Sequence, residues 1–141
     1  MKTKIKAIYI KTEKGKEPVC ADSAVLLENE GVSGDVFCST DAKRQVSVLF
    51  DGTLESMKLL KKRGVCASRF TCNIVLDGEF PEEISVGGTI KVGKTELKVT
   101  EIGKKCFGFC GEETCPLVNE AVFASVTHGG TVKKGDDAEY A

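Results

Sequence analysis

The chain has 141 residues, 41% of them hydrophobic and 29% charged, which suits one domain with a substantial core. Lysine plus arginine number 20 against 21 acids, for a formal net charge of −1. That balance gives no electrostatic reason to bind a polyanion and argues against nucleic acid as a partner. No apolar run approaches the roughly 20 residues that span a bilayer. Lysines also interleave the amino-terminal MKTKIKAIYIKTEKGKE, so neither a membrane span nor a signal peptide is expected, and the expected location is cytoplasmic.

In chain order, short strand signals outnumber helical ones and predict a mostly β domain. Residues 4–10, KIKAIYI, alternate and then turn continuously apolar, as an edge strand does on entering a core, with Lys2, Lys4 and Lys6 on a solvated face. Ala24 to Leu27 and Gln45 to Phe50 read as strands flanking a loop with Gly31, Ser33, Gly34, Asp35 and Cys38. The Gly-x-x-Gly-Asp segment reads as a turn in which the carboxylate takes neighbouring amides. A helix is expected from an N-cap at Asp51 through Leu54, Met57, Leu59 and Leu60, ending at Lys61, Lys62, Arg63 and Gly64, where cations and glycine suit a helix C-terminus. Asn73 to Leu76 resumes strand character. Thr89 to Val92 and Thr95 to Val99 predict a hairpin whose Gly93-Lys94 centre fits a type II′ turn. A second short helix is expected over about Val118 to Val126, stopped by Gly129-Gly130 before a last strand at Thr131 to Lys133. No repeat, linker or low-complexity segment divides the chain.

Chemistry concentrates in the cysteines. There are seven, an odd number in a chain without an evident export signal, so a disulfide framework is not expected. Cys20, Cys66 and Cys38 read as small buried hydrophobes. Cys106, Cys110 and Cys115 are spaced by four and five, which matches neither paired Cys-x-x-Cys zinc knuckles nor common ferredoxin runs. Thr114-Cys115-Pro116 stands just ahead of the expected second helix, whose unpaired amides would stabilise a thiolate. The single histidine, His128, could serve as an acid or base only if the fold returned it to Cys115; its plain reading is a surface or capping residue. Arg44 and Arg69 stand at strand openings, where a guanidinium either pairs with a structural carboxylate or presents a planar fork to an anionic ligand.

The ordered set of segments carries a resemblance that no single one would. Gly31 to Asp35, Arg44-Gln45-Val46-Ser47-Val48-Leu49, Arg69-Phe70-Thr71-Cys72-Asn73-Ile74, Val86-Gly87-Gly88-Thr89-Ile90, Cys115-Pro116 through Val122-Phe123-Ala124 to Gly130, and Gly135-Asp136 together resemble the MOSC domain, named for the carboxy-terminal domain of molybdenum-cofactor sulfurases. The match spans nearly the whole chain, residues 1–141 as one domain. The resemblance implies a strand-rich, barrel-like fold with a few short helices, and a role in handling sulfur or binding molybdenum cofactor through a cysteine.

Carried over by position, the resemblance makes Cys115 the thiol that holds a persulfide or meets molybdenum. It places Asp35, Arg44, Arg69 and Asn73 around the same pocket, the arginines toward a phosphate and Asp35 toward an amide or arginine. It also implies a separate cysteine desulfurase as sulfur donor and a molybdoenzyme or metal-sulfur cofactor as acceptor. Pyridoxal phosphate enters by family association only, since no domain for it fits this length. Two departures stand out: Phe37 replaces a histidine common after the Gly-Asp pair, and Cys72 replaces a glutamate common before Asn73, which would bring a second sulfur toward Cys115. A cofactor- or thiolate-metal-binding module without transfer, and a barrel that only binds a partner protein, remain the alternatives.

Overall fold

The computed structural model describes residues 2–12, 19–35, 38, 45–53, 72–81, 84–103 and 121–140. Eleven strands occupy them: β1 (Lys2–Ile10), β2 (Val19–Ala21), β3 (Ser23–Leu27), β4 (Gly31–Val32), β5 (Val46–Phe50), β6 (Ile74–Leu76), β7 (Thr89–Val92), β8 (Thr95–Ile102), β9 (Val122–His128), β10 (Gly130–Lys133) and β11 (Asp137–Tyr140). Seven of them close on themselves in the order β1-β11-β7-β8-β9-β5-β6 and back to β1, so the domain is a β-barrel. Closure leaves the wall without free edges, which removes the main aggregation hazard of a strand-rich chain. Every pairing in the wall is antiparallel except β5 with β6. A parallel pair needs a crossover rather than a hairpin, and it begins with the helical residues 51–53. Asp51 is itself the first helical residue rather than the cap before it, and the rest of the predicted helix lies outside the described residues.

Strand β1 does not behave as the edge strand that the alternation of residues 4–10 suggested. Lys2 to Lys4 pair with β11, Ile5 to Ile8 with β6, and Ile8 to Ile10 with β2. Ile5 and Ile8 are accordingly buried, while Lys2, Lys4 and Lys6 are exposed. Around Lys6 the register with β6 shifts between Ile5 and Ala7, and the displaced lysine reaches Asp51 at 2.7 Å.

Residues 118–120 of the expected Val118 to Val126 helix lie outside the described residues, and from Val122 onward the segment is instead strand β9. Its residues 122–124 and 126 are buried, and Val122, Val126 and Thr127 are β-branched, so an apolar run flanked by two partners, β5 and β8, is satisfied better as a doubly covered strand. Thr131 to Lys133 falls in β10 as expected, but β10 is not last: Gly135, with φ of +93°, turns the chain into β11, which closes the barrel. The hairpin centred on Gly93-Lys94 agrees with the sequence reading. Gly93 has φ of +57°, and Asn29 is the one described non-glycine residue with positive φ, a pattern that fits type II′.

The barrel core gathers Ile5, Ile8, Phe50, Ile74, Leu76, Ile90 and Leu97. Phe50 meets Phe80 and Tyr140 edge to face, at centroid distances of 6.1 and 5.7 Å, the arrangement that aromatic quadrupoles favour. A second sheet, β10-β3-β4, is separate from the closed wall and buries Ala24, Leu26, Val32 and Val132 in the same core. It is fixed by main-chain and amide bonds. Asn29 N–H donates to Val126 O at 2.8 Å, Gln45 Nε2 donates to Asn29 O at 2.9 Å, and Val126 N–H donates to Gln45 Oε1 at 3.2 Å. The close approach requires glycine at Gly31, where a Cβ would stand 2.6 Å from Gln45 O and φ is +123°.

On the outer wall, register aligns Lys2 with Glu139, Glu139 with Lys91, Lys91 with Glu96, and Glu96 with His128. From Lys2 to Glu96 signs alternate across neighbouring strands, which spares the wall the repulsion of like charges placed opposite one another.

Candidate functional site

Asp35 and Asn73 are 38 positions apart in sequence and are brought together at the mouth of the β1-β6-β5 segment of the wall. Asp35 ends the Gly31 to Asp35 turn. Ser33 N–H donates to Val25 O at 2.8 Å, Asp35 N–H donates to Val32 O at 3.0 Å, and Gly34 supplies φ of +85°, a conformation with little cost for glycine. The turn delivers a carboxylate that is only 6% exposed. Its Oδ1 accepts Lys11 N–H at 2.9 Å and Asn73 Nδ2–H at 3.0 Å.

Asn73 stands just before β6 and joins three elements. Its Oδ1 accepts Ser47 N–H at 3.0 Å and Ser47 Oγ–H at 3.3 Å. Its Nδ2 donates to Tyr9 O at 3.2 Å as well as to Asp35. Its main chain donates to Ser47 O at 2.9 Å and accepts Tyr9 N–H at 2.8 Å. Both ends of the amide are therefore occupied by protein groups, which is how a buried amide avoids its desolvation cost.

The three described cysteines take three different positions. Cys72, next to Asn73, is buried; burial pushes its thiol up from the ordinary 9.0 to about 12, against a smaller opposing effect of its own backbone hydrogen bond. Cys38 is half-buried, and its thiol is raised by burial first, then by the negative charges of Glu30 and Asp35. Cys20, expected to be buried, is exposed on β2, because its strand flanks β1 outside the closed wall. A thiol is a nucleophile and metal ligand only as thiolate, so Cys38 and Cys72 are poorly suited to either task near neutral pH.

Among the predicted site residues, Cys115, Arg44 and Arg69 lie outside the described residues, as do Cys66, Cys106 and Cys110. His128 is exposed at the end of β9. The segment carrying Cys106 to Cys115 starts and ends at a bonded pair, Gly103 N–H to Ala121 O at 2.6 Å. Val122 pairs with Val48, and Ser47 with Phe123, so Ala121 stands two strands across and about two residues along from Asn73. Standard strand spacings make that about 12 Å.

Ser47 escaped the sequence reading. The available signal was its isolation, as the one polar residue in the wholly buried strand Val46–Phe50: a hydroxyl there must find a partner. Among the described residues no three His, Cys, Asp or Glu side chains come close enough to hold a metal ion. Of the described thiols, Cys38 and Cys72 are shifted toward the protonated form, and the Asn73 amide beside them is engaged at both ends. No helix among the described residues is long and apolar enough to cross a membrane.

No protein-family model matches the chain, and no curated protein matches it in sequence. Solved structures do. YuaD from Bacillus subtilis superposes with a TM-score of 0.74 at 18% identity, covering 99% of this chain and 96% of that one. YiiM from Escherichia coli superposes at 0.62 and 16% identity over 100% of this chain and 70% of that one. YiiM from Geobacillus stearothermophilus gives 0.63 and 13% over 99% and 75%. YuaD and YiiM are MOSC-domain proteins. The fold is MOSC-like. In this MOSC-like barrel the turn ending at Asp35, the serine of β5 and the asparagine before β6 converge although each belongs to a different stretch of sequence.

Proposed function

We propose that this chain is a MOSC-type domain that handles sulfur, with Cys115 as the thiol that accepts sulfane sulfur and passes it to a metal-sulfur or molybdenum cofactor. The observation that carries the reading is the MOSC-like barrel over 99% of the chain. The convergence of Asp35 with Asn73 supports it at the level of the site. The state of two described thiols adds support: Cys72 and Cys38 are both shifted toward the protonated form, which directs nucleophilic chemistry to other cysteines of the chain.

In the proposed step the Cys115 thiolate attacks the outer sulfur of a persulfide held by a cysteine desulfurase. The donor's S–S bond breaks, a new S–S bond forms at Cys115, and the donor cysteine leaves as thiolate, so no external oxidant or reductant is consumed. Transfer onward to an acceptor thiolate repeats the exchange, whereas delivery to a metal cofactor at the sulfide level takes a second thiolate, which attacks the Cys115 sulfur, forms a disulfide with it and releases the outer sulfur as hydrosulfide. Arg44 and Arg69 are proposed to hold an anionic acceptor, and Asp35 to order the turn beside it. Intact mass after incubation with a desulfurase and cysteine tests the reading. One sulfur atom added to the wild type and none to Cys115→Ser is the expected result; equal addition to both, or none to the wild type, would sink it.

A further inference from the structure

We propose that Ser47 and Asn73 form a positioning relay that sets the Asp35 carboxylate from the barrel wall. Direction in this relay is forced by main-chain groups. Ser47 N–H can only donate, so the Asn73 atom facing it at 3.0 Å is the oxygen. Tyr9 O can only accept, so the atom facing it at 3.2 Å is the nitrogen. With the amide fixed in this sense, the remaining Nδ2 hydrogen is aimed at Asp35 Oδ1, 3.0 Å away. Ser47 Oγ locks the arrangement twice, donating to Oδ1 at 3.3 Å and accepting Asn73 N–H at 3.1 Å.

The relay changes the role assigned to Asn73, which acts through Asp35 rather than on a ligand directly. It brings in Ser47, whose hydroxyl lies one strand further from the turn. Its effect on sulfur handling rests on the proposed function; its effect on Asp35 does not. Because Ser47, Asn73 and Asp35 are 8, 4 and 6% exposed, bulk water is poorly placed to replace a lost donor.

Two neighbouring amides separate the relay from general loosening of the fold. Lys11 N–H is held by Asp35 Oδ1, whereas Tyr9 N–H is held by the main-chain oxygen of Asn73. Hydrogen exchange by NMR in Ser47→Ala should speed Lys11 about tenfold relative to Tyr9, the equivalent of one net hydrogen bond, and Ser47→Thr should restore the wild-type ratio. Asn73→Asp, which keeps an acceptor toward Ser47 but loses both donors, should raise the ratio further. Lys11 and Tyr9 moving together in Ser47→Ala, or neither moving, would overturn the relay even if Asn73→Asp fails to fold. The rate of sulfur loading at Cys115 is read on the same Ser47 variants. A wild type that never loads overturns the proposed function while the exchange ratio still decides the relay.

Discussion

Two buried amide side chains, Gln45 and Asn73, knit this barrel to what surrounds it, and they do so with different partners. Gln45 bonds Asn29 O and the Val126 N–H, both main-chain groups, and so brackets the small sheet to the wall. Asn73 bonds the main chain of Ser47 and Tyr9 but also a hydroxyl and a carboxylate. A bond to main chain holds shape; a bond to a carboxylate also fixes the direction of that side chain. That difference sets the Asn73 side of the barrel apart as the candidate site, and it can be tested.

The largest effect is expected from Asn73→Ala, which removes at once the acceptor of the Ser47 N–H, the donor to the Tyr9 carbonyl and one of the donors to a buried carboxylate. Urea unfolding should show a loss of about 4 kcal/mol. Gln45→Ala strands two main-chain groups and should cost about 2–3 kcal/mol. The comparison sharpens when both are assayed for sulfur loading below their unfolding midpoints: the Gln45 variant should load at the wild-type rate per folded molecule, and the Asn73 variant more slowly. Equal slowing of both would erase the distinction.

Next in size is the response to alkali. Cys72 stays protonated in the folded chain up to about pH 12 but only to 9.0 when ordinary. Above pH 9 the unfolded chain therefore sheds a proton that the folded chain keeps, and stability falls as pH rises through that window, by up to about 1.4 kcal/mol per unit from this group. Below pH 9 the contribution is fully present. Cys72→Ala should lower the slope relative to wild type between pH 9 and 11, and an unchanged slope would mean that the thiol is not desolvated beside Asn73. The smallest effect belongs to the outer wall: Glu139→Ala, which removes the acid between Lys2 and Lys91, should cost about 0.5 kcal/mol or less and less still in high salt.

The hairpin at Gly93, the exposed lysine row of β1 and the strand at Val46–Phe50 were legible because turn chemistry and period-two or fully apolar patterns act over a few residues. The β9 segment was misread because a short apolar run satisfies either a helix or a doubly covered strand, and only its partners β5 and β8 choose. Cys20 was assigned to the core on residue type alone, and the position of β2 outside the closed wall exposed it. Asp35 and Asn73 were singled out by their place in a series of motifs, yet nothing local indicated that they touch, and Ser47 was visible only as a solitary hydroxyl in an apolar strand.

Sequence by itself determined the balance of charge, the strand-rich class, the turns that need glycine and the concentration of thiols. Tertiary structure decided which strands close the wall, which cysteines are shifted toward the protonated form, and which polar groups meet. The reason is physical: backbone preference and hydrophobic period are set by neighbours in the chain, whereas desolvation and hydrogen-bond partnership are set by groups that arrive from 26 to 64 positions away and exist only once the barrel has closed.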